Sequence, residues 1–424
     1  MIPSFNSLGI SSGFLSTLET MGYETPTPIQ SASIPHLLEG RDLLGVAQTG
    51  TGKTAAFALP LLQRLQEANE SVKPRKPRAL ILAPTRELAI QIHSEIEKFK
   101  RNTKLRCAVI FGGVGQNPQV RQLKKGVDIL VATPGRLLDL GGQKHVNLSE
   151  INELVLDEAD RLLDMGFIRD VKRIVEQTPK SRHSLLFSAT MPKGVVSLAR
   201  EILQDPIRVD VSPKQRTVKK IDQRVIAVEN SEKQEILQSL LREESVSRSI
   251  VFTRTKHGAN RVVKKLRAAG IDADAIHGNK SQSARQRALA DFKRGKIWVL
   301  VATDIAARGL DIDSVSHVVN FELPHEAESY VHRVGRTARA GASGVAWSLV
   351  DPSEKSRLRA IERLIDLKLT WFDTALVKID LDETAGKTQG KPSGSSKDRG
   401  VKANVGRRRR RRRSRNQKQQ VSLA

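Results

Sequence analysis

Length, composition and charge set the first limits on this chain. Its 424 residues exceed the usual size of one hydrophobic core, so we expect two folded domains and a tail. The apolar runs are too short to cross a bilayer and the first residues lack a secretion signal, which indicates a cytoplasmic protein without a membrane segment. A net charge of +25 points to a polyanionic partner, although a basic solubilising surface is the alternative.

Only one cysteine is present in the sequence. Cys107 can form neither an internal disulfide nor a metal site built from cysteines, which fits a reducing compartment. We expect it to be an ordinary small core residue.

The first motif is a glycine-rich turn, AQTGTGKT, between the apolar run DLLGV and the helix-compatible AAFALPLLQRL. Its glycines let backbone N–H groups turn toward phosphate oxygens, Lys53 supplies a positive charge, and Thr54 can place its hydroxyl on Mg²⁺. Ala47 stands where the general pattern has glycine. A purely structural turn is the alternative to a nucleotide loop. The predicted nucleotide-binding residues of this loop are Ala47, Gln48, Thr49, Gly50, Thr51, Gly52, Lys53 and Thr54.

Short apolar runs then alternate with amphipathic stretches, as in ALILAP, ELAIQIHSEIEKF, CAVIFGG and VDILVATP. This alternation predicts an α/β domain over residues 1–211, with a parallel sheet and crossover helices on both faces. Residues 212–220 carry a proline and several charges with weak periodicity, and are predicted to be a linker. The alternation resumes with SIVFTRTK, WVLVATD and HVVNFELP, which predicts a second α/β domain over residues 221–375.

An acidic cluster, DEAD, directly follows the apolar strand ELVL of the first domain. Asp157 at the end of that strand is suited to hold the water shell of a Mg²⁺ ion, and Glu158 beside it can orient or deprotonate an attacking water. The alternative is a solvated helix N-terminus, where acidic residues favour the helix dipole. The upstream glycine-rich loop favours the metal and phosphate interpretation.

The end of the chain, residues 384–424, has a different composition. It lacks core-forming residues, contains a run of seven arginines from Arg407 to Arg413, and carries a net charge of +13. Such a segment is predicted to be disordered and to act as a flexible electrostatic tether that raises the local RNA concentration. The alternatives are a nuclear-localisation signal, in a eukaryotic host, and a ribosome-binding arm.

Together these elements resemble the DEAD-box ATP-dependent RNA helicases of superfamily 2 over about residues 1–350. Three segments look most like the bacterial RhlE-type branch of the family: FTRTKHGAN, AIHGNKSQ and ATDIAARGLDI. The resemblance implies two tandem RecA-like domains, with ATP and Mg²⁺ as cofactors.

The resemblance also implies roles for individual residues. GYETPTPIQ is similar to the family's adenine-reading motif, in which Gln30 would pair with the adenine edge while Tyr23 and Phe5 support the ring. Asp311 is similar to the residue that bonds the ATP ribose. SAT, at residues 188–190, resembles the motif that couples hydrolysis to strand separation. The implied coupling residues are Asp160, Ser188, Thr190 and His332.

YVHRVGRTARAG resembles the arginine-finger motif of the same family. Arg336 and Arg339 match the fingers that stabilise charge on the γ-phosphoryl group. The family usually has glycine where Ala338 stands. Because Lys53 and Glu158 lie in the first domain, catalysis would require the two domains to close on each other.

The family grips single-stranded RNA by its sugar-phosphate backbone, which implies little sequence specificity. The matching positions in the first domain are Pro84, Thr85, Arg86, Gly112, Gly113, Thr133 and Arg136. Those in the second domain are Arg254, Gly278, Gln282, Arg285, Thr303 and Arg308.

We therefore expect a monomeric, RNA-stimulated ATPase that locally unwinds or remodels RNA duplexes and RNA–protein complexes. Ribosomal precursors or the RNA-decay machinery are the expected partners, and no membrane is involved. A DNA-directed helicase or translocase on the same fold is one alternative, because phosphate contacts do not reveal a preference for the 2′-OH. An ATP-independent RNA chaperone that anneals strands is another.

Overall fold

The structure is a computed structural model that describes residues 4–48, 50–211, 221–243, 245–307, 312, 315–338 and 344–372. Two sheets organise these residues. We call residues 4–211 the first lobe and residues 221–372 the second lobe. The sheets of both lobes belong to one compact unit of the chain.

The first lobe is built on seven short apolar strands. Most are four residues long, and four of the seven are buried at every residue, as expected for strands covered on both faces. The strands are β1 (Leu43–Val46), β2 (Ala79–Leu82), β3 (Cys107–Ile110), β4 (Ile129–Ala132), β5 (Glu153–Leu156), β6 (His183–Ser188) and β7 (Ile207–Asp210). All described pairings are parallel, in the order β3, β4, β2, β5, β6, β1, β7.

The second lobe repeats this arrangement. Its strands are β8 (Ile221–Ala227), β9 (Ser249–Phe252), β10 (Ala273–Ile276), β11 (Val299–Ala302), β12 (His317–Asn320), β13 (Gly344–Val350) and β14 (Thr370–Trp371). They pair in parallel in the order β10, β11, β9, β12, β13, β8, β14. Strand for strand, this is the order of the first sheet.

Helices connect successive strands and cover both faces of each sheet. In the first lobe they are α1 (Ser12–Thr20), α2 (Pro28–Leu38), α3 (Lys53–Glu67), α4 (Arg86–Phe99), α5 (Asn117–Lys125), α6 (Pro134–Gly142), α7 (Ala159–Asp164), α8 (Ile168–Val175) and α9 (Lys193–Ile202). In the second lobe they are α10 (Lys233–Leu241), α11 (Lys256–Ala268), α12 (Gln282–Lys293), α13 (Asp304–Ala307), α14 (Ala327–Val334) and α15 (Lys355–Ile365).

Alternate strand residues supply two hydrophobic cores in each lobe. In β2, Ala79 and Ile81 face one core while Leu80 and Leu82 face the other. The second lobe is divided in the same way. Because the inner strands are buried on both faces, they are apolar along most of their length, and this explains the continuous apolar runs in the sequence.

The predicted fold class is confirmed: two parallel α/β sheets follow one another along the chain. The predicted linker at 212–220 and the basic tail at 384–424 lie outside the described residues. Among the described residues, no helix combines the length and apolar character needed to span a bilayer.

Candidate nucleotide and nucleic-acid site

Most of the predicted site residues of the first lobe follow the carboxyl ends of its strands. The glycine-rich loop follows β1, Asp157 follows β5, and Ser188 ends β6. In the sheet, β6 lies between β5 and β1, so these three groups converge on one edge. Parallel α/β sheets bind ligands at this edge.

The backbone of the glycine-rich loop has the conformation that glycine permits. Gly50 has φ +82° and Gly52 has φ +88°. A Cβ atom at Gly52 would also lie 2.4 Å from Nε2 of Gln30, so a side chain is excluded there. Thr51 Oγ1 donates to the Gln48 carbonyl at 2.8 Å. Thr49 lies outside the described residues.

Lys53 begins α3 and is only 6% exposed. Its Nζ donates to the carbonyl of Ala47 at 3.1 Å, which holds the ammonium group inside the loop. Within the described part of the chain it forms no ion pair, so its charge remains available to an anion. A buried cation inside a turn of glycine N–H groups fits a phosphate group.

Asp157 and Glu158 lie in different environments although they are adjacent. Burial raises the pKa of Asp157 to about 6, because the Lys53 charge lowers it only in part and the Glu158 charge adds to the rise. Glu158 has a left-handed backbone, φ +52°, and its Oε2 accepts from Arg161 Nη1 at 2.7 Å. Its backbone N–H donates to Asp157 Oδ1 at 2.9 Å.

The residues around Asp157 fit a hard divalent cation such as Mg²⁺. The Asp157 carboxylate is 2% exposed and forms no ion pair with a described residue, so a bound cation would favour its charged form. Thr54, in the first turn of α3, adds a hydroxyl oxygen. Oxygen donors of this kind suit Mg²⁺, which also keeps several of its waters.

Hydrogen bonds join the acidic cluster to the SAT segment after β6. Asp160 Oδ2 accepts from both the backbone N–H and the hydroxyl of Thr190, each at 2.9 Å. Ser188 Oγ accepts from the backbone N–H of Asp160 at 3.2 Å and donates to the Thr190 carbonyl at 2.6 Å. A displacement of the acidic turn therefore moves the segment after β6 as well.

Gln30 contacts the phosphate loop directly. Its Nε2 donates to the Gly52 carbonyl at 3.1 Å, and its Oε1 accepts from the Thr27 backbone at the start of α2. The Gln30 residue predicted to read adenine is 1% exposed, and both its amide nitrogen and its amide oxygen already form hydrogen bonds within the protein. This hydrogen bond links α2 to the loop that follows β1.

The aromatic residues of the predicted adenine site pack against one another. Phe5 and Tyr23 meet edge to face with ring centroids 6.3 Å apart, and Tyr23 contacts Phe99 of α4 at 5.8 Å. Phe5 is 4% exposed. The rings thus form an apolar wall anchored in the core of the first lobe.

The predicted nucleic-acid residues of the first lobe share one end of the sheet. Thr85 caps α4 by accepting from Leu88 N at 3.2 Å, and it leaves Arg86 in the first turn. The Arg86 guanidinium lies over Gly113, where a Cβ atom would come within 2.1 Å of it. The remaining members of this group are the buried Pro84 after β2, Gly112 after β3, Thr133 at the start of α6, and Arg136, which donates to the Val114 carbonyl.

Several predicted RNA contacts in the second lobe have protein partners. Arg254 pairs with Glu322 at 3.0 Å. Gln282 Nε2 donates to Glu87 Oε1 at 3.1 Å, and Arg285 Nη2 lies 2.9 Å from the same oxygen. Glu87 belongs to α4, so this carboxylate joins the two lobes.

The other predicted contacts of the second lobe also follow its strands. Gly278 follows β10, and among the described residues beyond its chain neighbours no atom lies within 4 Å of the position that a Cβ would take there. Thr303 follows β11 and is partly buried. Both positions correspond to the ligand-binding edge of the second sheet.

Arg336 is buried after α14. Its Nε donates to the carbonyl of His332 at 3.3 Å. Ala338, two residues further, has φ +54°, a backbone conformation that favours glycine. A small cavity beside this segment is lined by Phe252, Asp304, Ala307, Ser329, His332, Arg333 and Arg336.

Two residues that organise the site, Arg333 and Glu87, were not predicted from the sequence. Arg333 is 1% exposed and forms a bidentate ion pair with Asp304, at 2.6 and 2.8 Å, so it joins α14 to α13. Glu87 was missed because its partners lie almost two hundred positions away in the sequence. The signal for Arg333 was its position inside the YVHRVGRTARAG motif, between apolar residues that indicate a buried helix face. The predicted residues Thr49, Arg308, Asp311 and Arg339 lie outside the described ranges.

Comparisons with known proteins agree with this geometry. The pattern of the DEAD/DEAH box helicase family matches residues 27–198, and that of the helicase conserved C-terminal domain matches residues 232–341. The DEAD-box ATP-dependent RNA helicase CshA of Bacillus cereus is 45% identical over 370 residues, covering 87% of this chain and 70% of the relative. CshA of Bacillus subtilis is 43% identical over 369 residues, covering 87% and 74%.

A solved structure of S. cerevisiae Dbp5 bound to RNA and ADP BeF3 matches with a TM-score of 0.78. It is 33% identical, and the match covers 87% of this chain and 95% of that one. The bacterial relatives carry the name CshA, so the RhlE-type assignment is not supported. The chain belongs to the DEAD-box family of ATP-dependent RNA helicases.

Proposed function

We propose that this helicase hydrolyses ATP with Mg²⁺ at the first-lobe edge described above and uses the cycle to separate short RNA duplexes and remodel RNA–protein complexes. The observation that carries this proposal is the convergence of Lys53, Asp157 and Glu158 at one edge of one sheet. Each of the three is buried, so the charges act in a medium of low polarity.

Each residue at this edge has a distinct role in the proposal. Lys53 binds the β- and γ-phosphates, while Asp157 and the Thr54 hydroxyl hold the metal shell. Bound Mg²⁺ neutralises charge on the phosphates. Glu158 orients the attacking water and takes its proton, and the Arg161 ion pair holds the carboxylate in position.

The second lobe contributes arginine fingers to the same reaction. Arg336 and Arg339 stabilise charge that develops on the transferred phosphoryl group, and Asp311 binds the ribose. Gln30, Tyr23 and Phe5 recognise adenine from the first lobe. Since Gln30 also bonds the phosphate loop, occupation of the adenine site alters the loop that binds the phosphates.

Hydrolysis is coupled to strand separation through the hydrogen bonds between Asp160 and the SAT segment. When the acidic turn responds to the γ-phosphate, Ser188 and Thr190 transmit the change, and His332 links the second lobe to it. The RNA strand lies across both lobes by its phosphates, which gives little sequence preference.

The direct test is strand separation and ATP turnover measured on matched substrates. We expect RNA strands to stimulate ATP hydrolysis and matched DNA strands to fail. Equal stimulation by DNA would replace the proposal with a DNA-directed translocase. Duplex remodelling that proceeds without ATP would replace it with an annealing chaperone.

We further propose that residues 212–220 are the linker between the two domains and that the tail at 384–424 is an electrostatic tether for RNA. Deleting the tail removes a charge of +13, so RNA binding weakens and its salt dependence becomes shallower, while ATP hydrolysis at saturating RNA persists. Unchanged RNA affinity at low salt in the truncated protein would contradict the tether.

In the cell we propose that the protein acts as a cytoplasmic monomer on ribosomal precursors or with the RNA-decay machinery. Support comes from its basic charge and from the phosphate-directed chemistry of the site. Sequencing the RNA that crosslinks to the protein would test this. Recovery of ribosomal precursor fragments supports ribosome assembly, and recovery of messenger RNA ends supports decay.

A further inference from the structure

A cluster of three metal-binding side chains lies away from the helicase site, where α4 packs beside strand β3. His93 and Glu97 are one turn apart on α4, and Cys107 begins β3. One potential ligand atom from each residue lies within 4.8 Å of the others. We propose that this cluster is a binding site for a zinc-class divalent cation, with imidazole, carboxylate and thiolate ligands and water in the fourth position.

The spacing of the ligand atoms fits a tetrahedral ion. His93 Nε2 and Glu97 Oε1 are 3.8 Å apart, which is too far for a hydrogen bond. Ligands bound at ~2.0–2.3 Å around a tetrahedral zinc ion are separated by about 3.3–3.8 Å. An imidazole nitrogen and a carboxylate oxygen at ~2.0–2.2 Å from the ion would stand about 3.3–3.6 Å apart, so the His93 and Glu97 atoms need to approach by only a few tenths of an ångström. The Cys107 sulfur, within 4.8 Å of both, must also move toward them.

The neighbouring lysine leaves the Glu97 oxygen that faces His93 accessible. Lys100 Nζ pairs at 3.2 Å with Oε2 of Glu97, not with the Oε1 that faces His93. The side chains of His93 and Glu97 are 26% and 41% exposed, so an ion can enter from solvent. With the ion bound, Lys100 would hold the ligating carboxylate in place, as outer partners do in metal sites.

The chemistry of the three groups favours a borderline-soft ion over Mg²⁺. Imidazole and thiolate are ligands that Zn²⁺ accepts and Mg²⁺ avoids, so the cluster is selective against the ion proposed at the phosphate loop. Burial raises the pKa of the Cys107 thiol well above its usual range, so the metal must displace the thiol proton when it binds.

A cation here would fasten the edge of the first sheet. Strand β3 is the outermost strand, paired only with β4 among the described elements, and α4 carries Thr85, Arg86 and Glu87 at its other end. Joining α4 to β3 would therefore stabilise the helix that presents the proposed nucleic-acid residues. This makes the site structural or regulatory, separate from ATP turnover.

Cobalt titration of the full-length, metal-free protein tests the site, with Mg²⁺ present to occupy the phosphate-loop site. Because Cys107 is the only cysteine, a thiolate-to-cobalt charge-transfer band can arise from no other residue of the chain. We expect one Co²⁺ per chain, a tetrahedral visible spectrum, and loss of both signals when Zn²⁺ is added.

Variants separate this site from adventitious binding. Cys107→Ser should abolish the charge-transfer band, and His93→Gln or Glu97→Gln should each weaken Co²⁺ binding at least about tenfold. The half-exposed His93 and Glu97 variants are informative even if the cysteine variant folds poorly. The matched control is His36→Gln, because His36 and Glu39 form a similar pair at 3.9 Å without a thiol, and this variant should bind Co²⁺ like the parent.

Three results would overturn the proposal. The first is the absence of a thiolate-to-cobalt band at millimolar Co²⁺. The second is a band that persists when both His93 and Glu97 are changed to glutamine. The third is a ratio of one Co²⁺ to two chains, which would indicate a metal-linked dimer. A rise in the thermal midpoint with Zn²⁺ in the parent protein, lost in His93→Gln, would support it independently.

Discussion

The two lobes share one strand order, but one acidic cluster in each lobe is compensated in a different way. In the second lobe, Lys233 is 1% exposed and pairs with Glu354 at 2.5 Å and Asp351 at 3.2 Å. Burial acts to raise the pKa of Asp351, but hydrogen bonds from Ser353 and the Lys233 charge outweigh it and lower the pKa to about 2. In the first lobe, burial dominates at Asp157 and its pKa rises to about 6.

This difference in pKa distinguishes carboxylates that are compensated within the protein from a carboxylate that lacks a compensating partner among the described residues. Lys233 and its two carboxylates satisfy one another inside the protein. Asp157 is left with a desolvation cost that its neighbours do not remove, which is the state expected of a residue whose partner is a bound cation. The same sheet topology therefore supports a self-compensated cluster in the second lobe and, in the first, the cluster that we propose to be catalytic.

The largest expected effect is on turnover in the first lobe. Glu158→Gln keeps the shape of the side chain but removes the proposed base, so we expect ATP turnover to fall about 10²–10⁴-fold while nucleotide and RNA binding persist. Steady-state hydrolysis and equilibrium binding measure the two properties. Glu150→Gln on the surface is the control, and near-normal hydrolysis by Glu158→Gln would remove Glu158 from its role.

The second effect concerns stability in the second lobe. Lys233→Met removes the cation of Asp351 and leaves the buried Glu354 with the longer contact to Arg357 at 3.5 Å, and we expect the free energy of unfolding to fall by about 3–5 kcal/mol. Urea denaturation measures the loss. Lys73→Met is the control, because Lys73 pairs with Glu150 at the surface and its removal should change little. A Lys233→Met protein as stable as the parent would show that the cluster is not structural.

A buried histidine in the first lobe should make stability depend on pH. His183 donates to Glu153 Oε2 at 2.7 Å and to the Arg41 carbonyl at 2.8 Å, which requires both ring nitrogens to be protonated. Burial lowers its pKa, but the hydrogen bond and charge of Glu153 outweigh this and raise it above the ordinary value.

Because the folded-state pKa is raised, the stabilising contribution of His183 is complete below about pH 6.5 and is lost as the pH rises through the raised value. The stability difference between the parent and His183→Gln should therefore be larger at about pH 6 than at about pH 9. Urea denaturation at both values measures it. A difference that does not change with pH would contradict the protonated ring.

The second lobe contains a histidine with the opposite behaviour. Burial, with the Arg224 charge adding to it, lowers the pKa of His317 to about 4, and the ring packs on Trp347 with centroids 4.5 Å apart. The neutral ring stabilises the fold above about pH 6.5, and this contribution is lost as the pH falls toward about 4. His317→Phe keeps an aromatic ring that cannot titrate, so its stability relative to the parent should improve as the solution becomes acidic. No improvement in acid would contradict the lowered pKa.

The smallest predicted effect is a gain in stability at Ala338. Its backbone has φ +54°, which disfavours any residue with a Cβ atom. Ala338→Gly should relieve the strain and raise the free energy of unfolding by about 1 kcal/mol. Thermal or urea denaturation measures the gain. A loss of stability would show that the entropy which glycine adds to the unfolded chain outweighs the strain that it relieves in the folded state.

The fold and the order of the motifs could be predicted because they depend on local chemistry. Strands buried on both faces require continuous apolar runs, and a turn with the sequence AQTGTGKT is typical of a phosphate-binding loop. The duplicated strand order was not apparent, because different apolar side chains can fill equivalent core positions. The pairing of Gln282 and Arg285 with Glu87 was also beyond reach, since it depends on how two lobes meet. Nor did the sequence predict that Cys107 lies beside His93.

The left-handed backbone of Glu158 has a consequence for how this protein could change. A non-glycine residue in that conformation costs about 1–3 kcal/mol. Glycine would remove this cost, but it would also delete the carboxylate that pairs with the buried Arg161, and a buried cation left without its partner costs about 3–5 kcal/mol. At this one position, a backbone that suits glycine is outweighed by an ion pair that requires a carboxylate, so selection for stability alone already preserves an acidic residue.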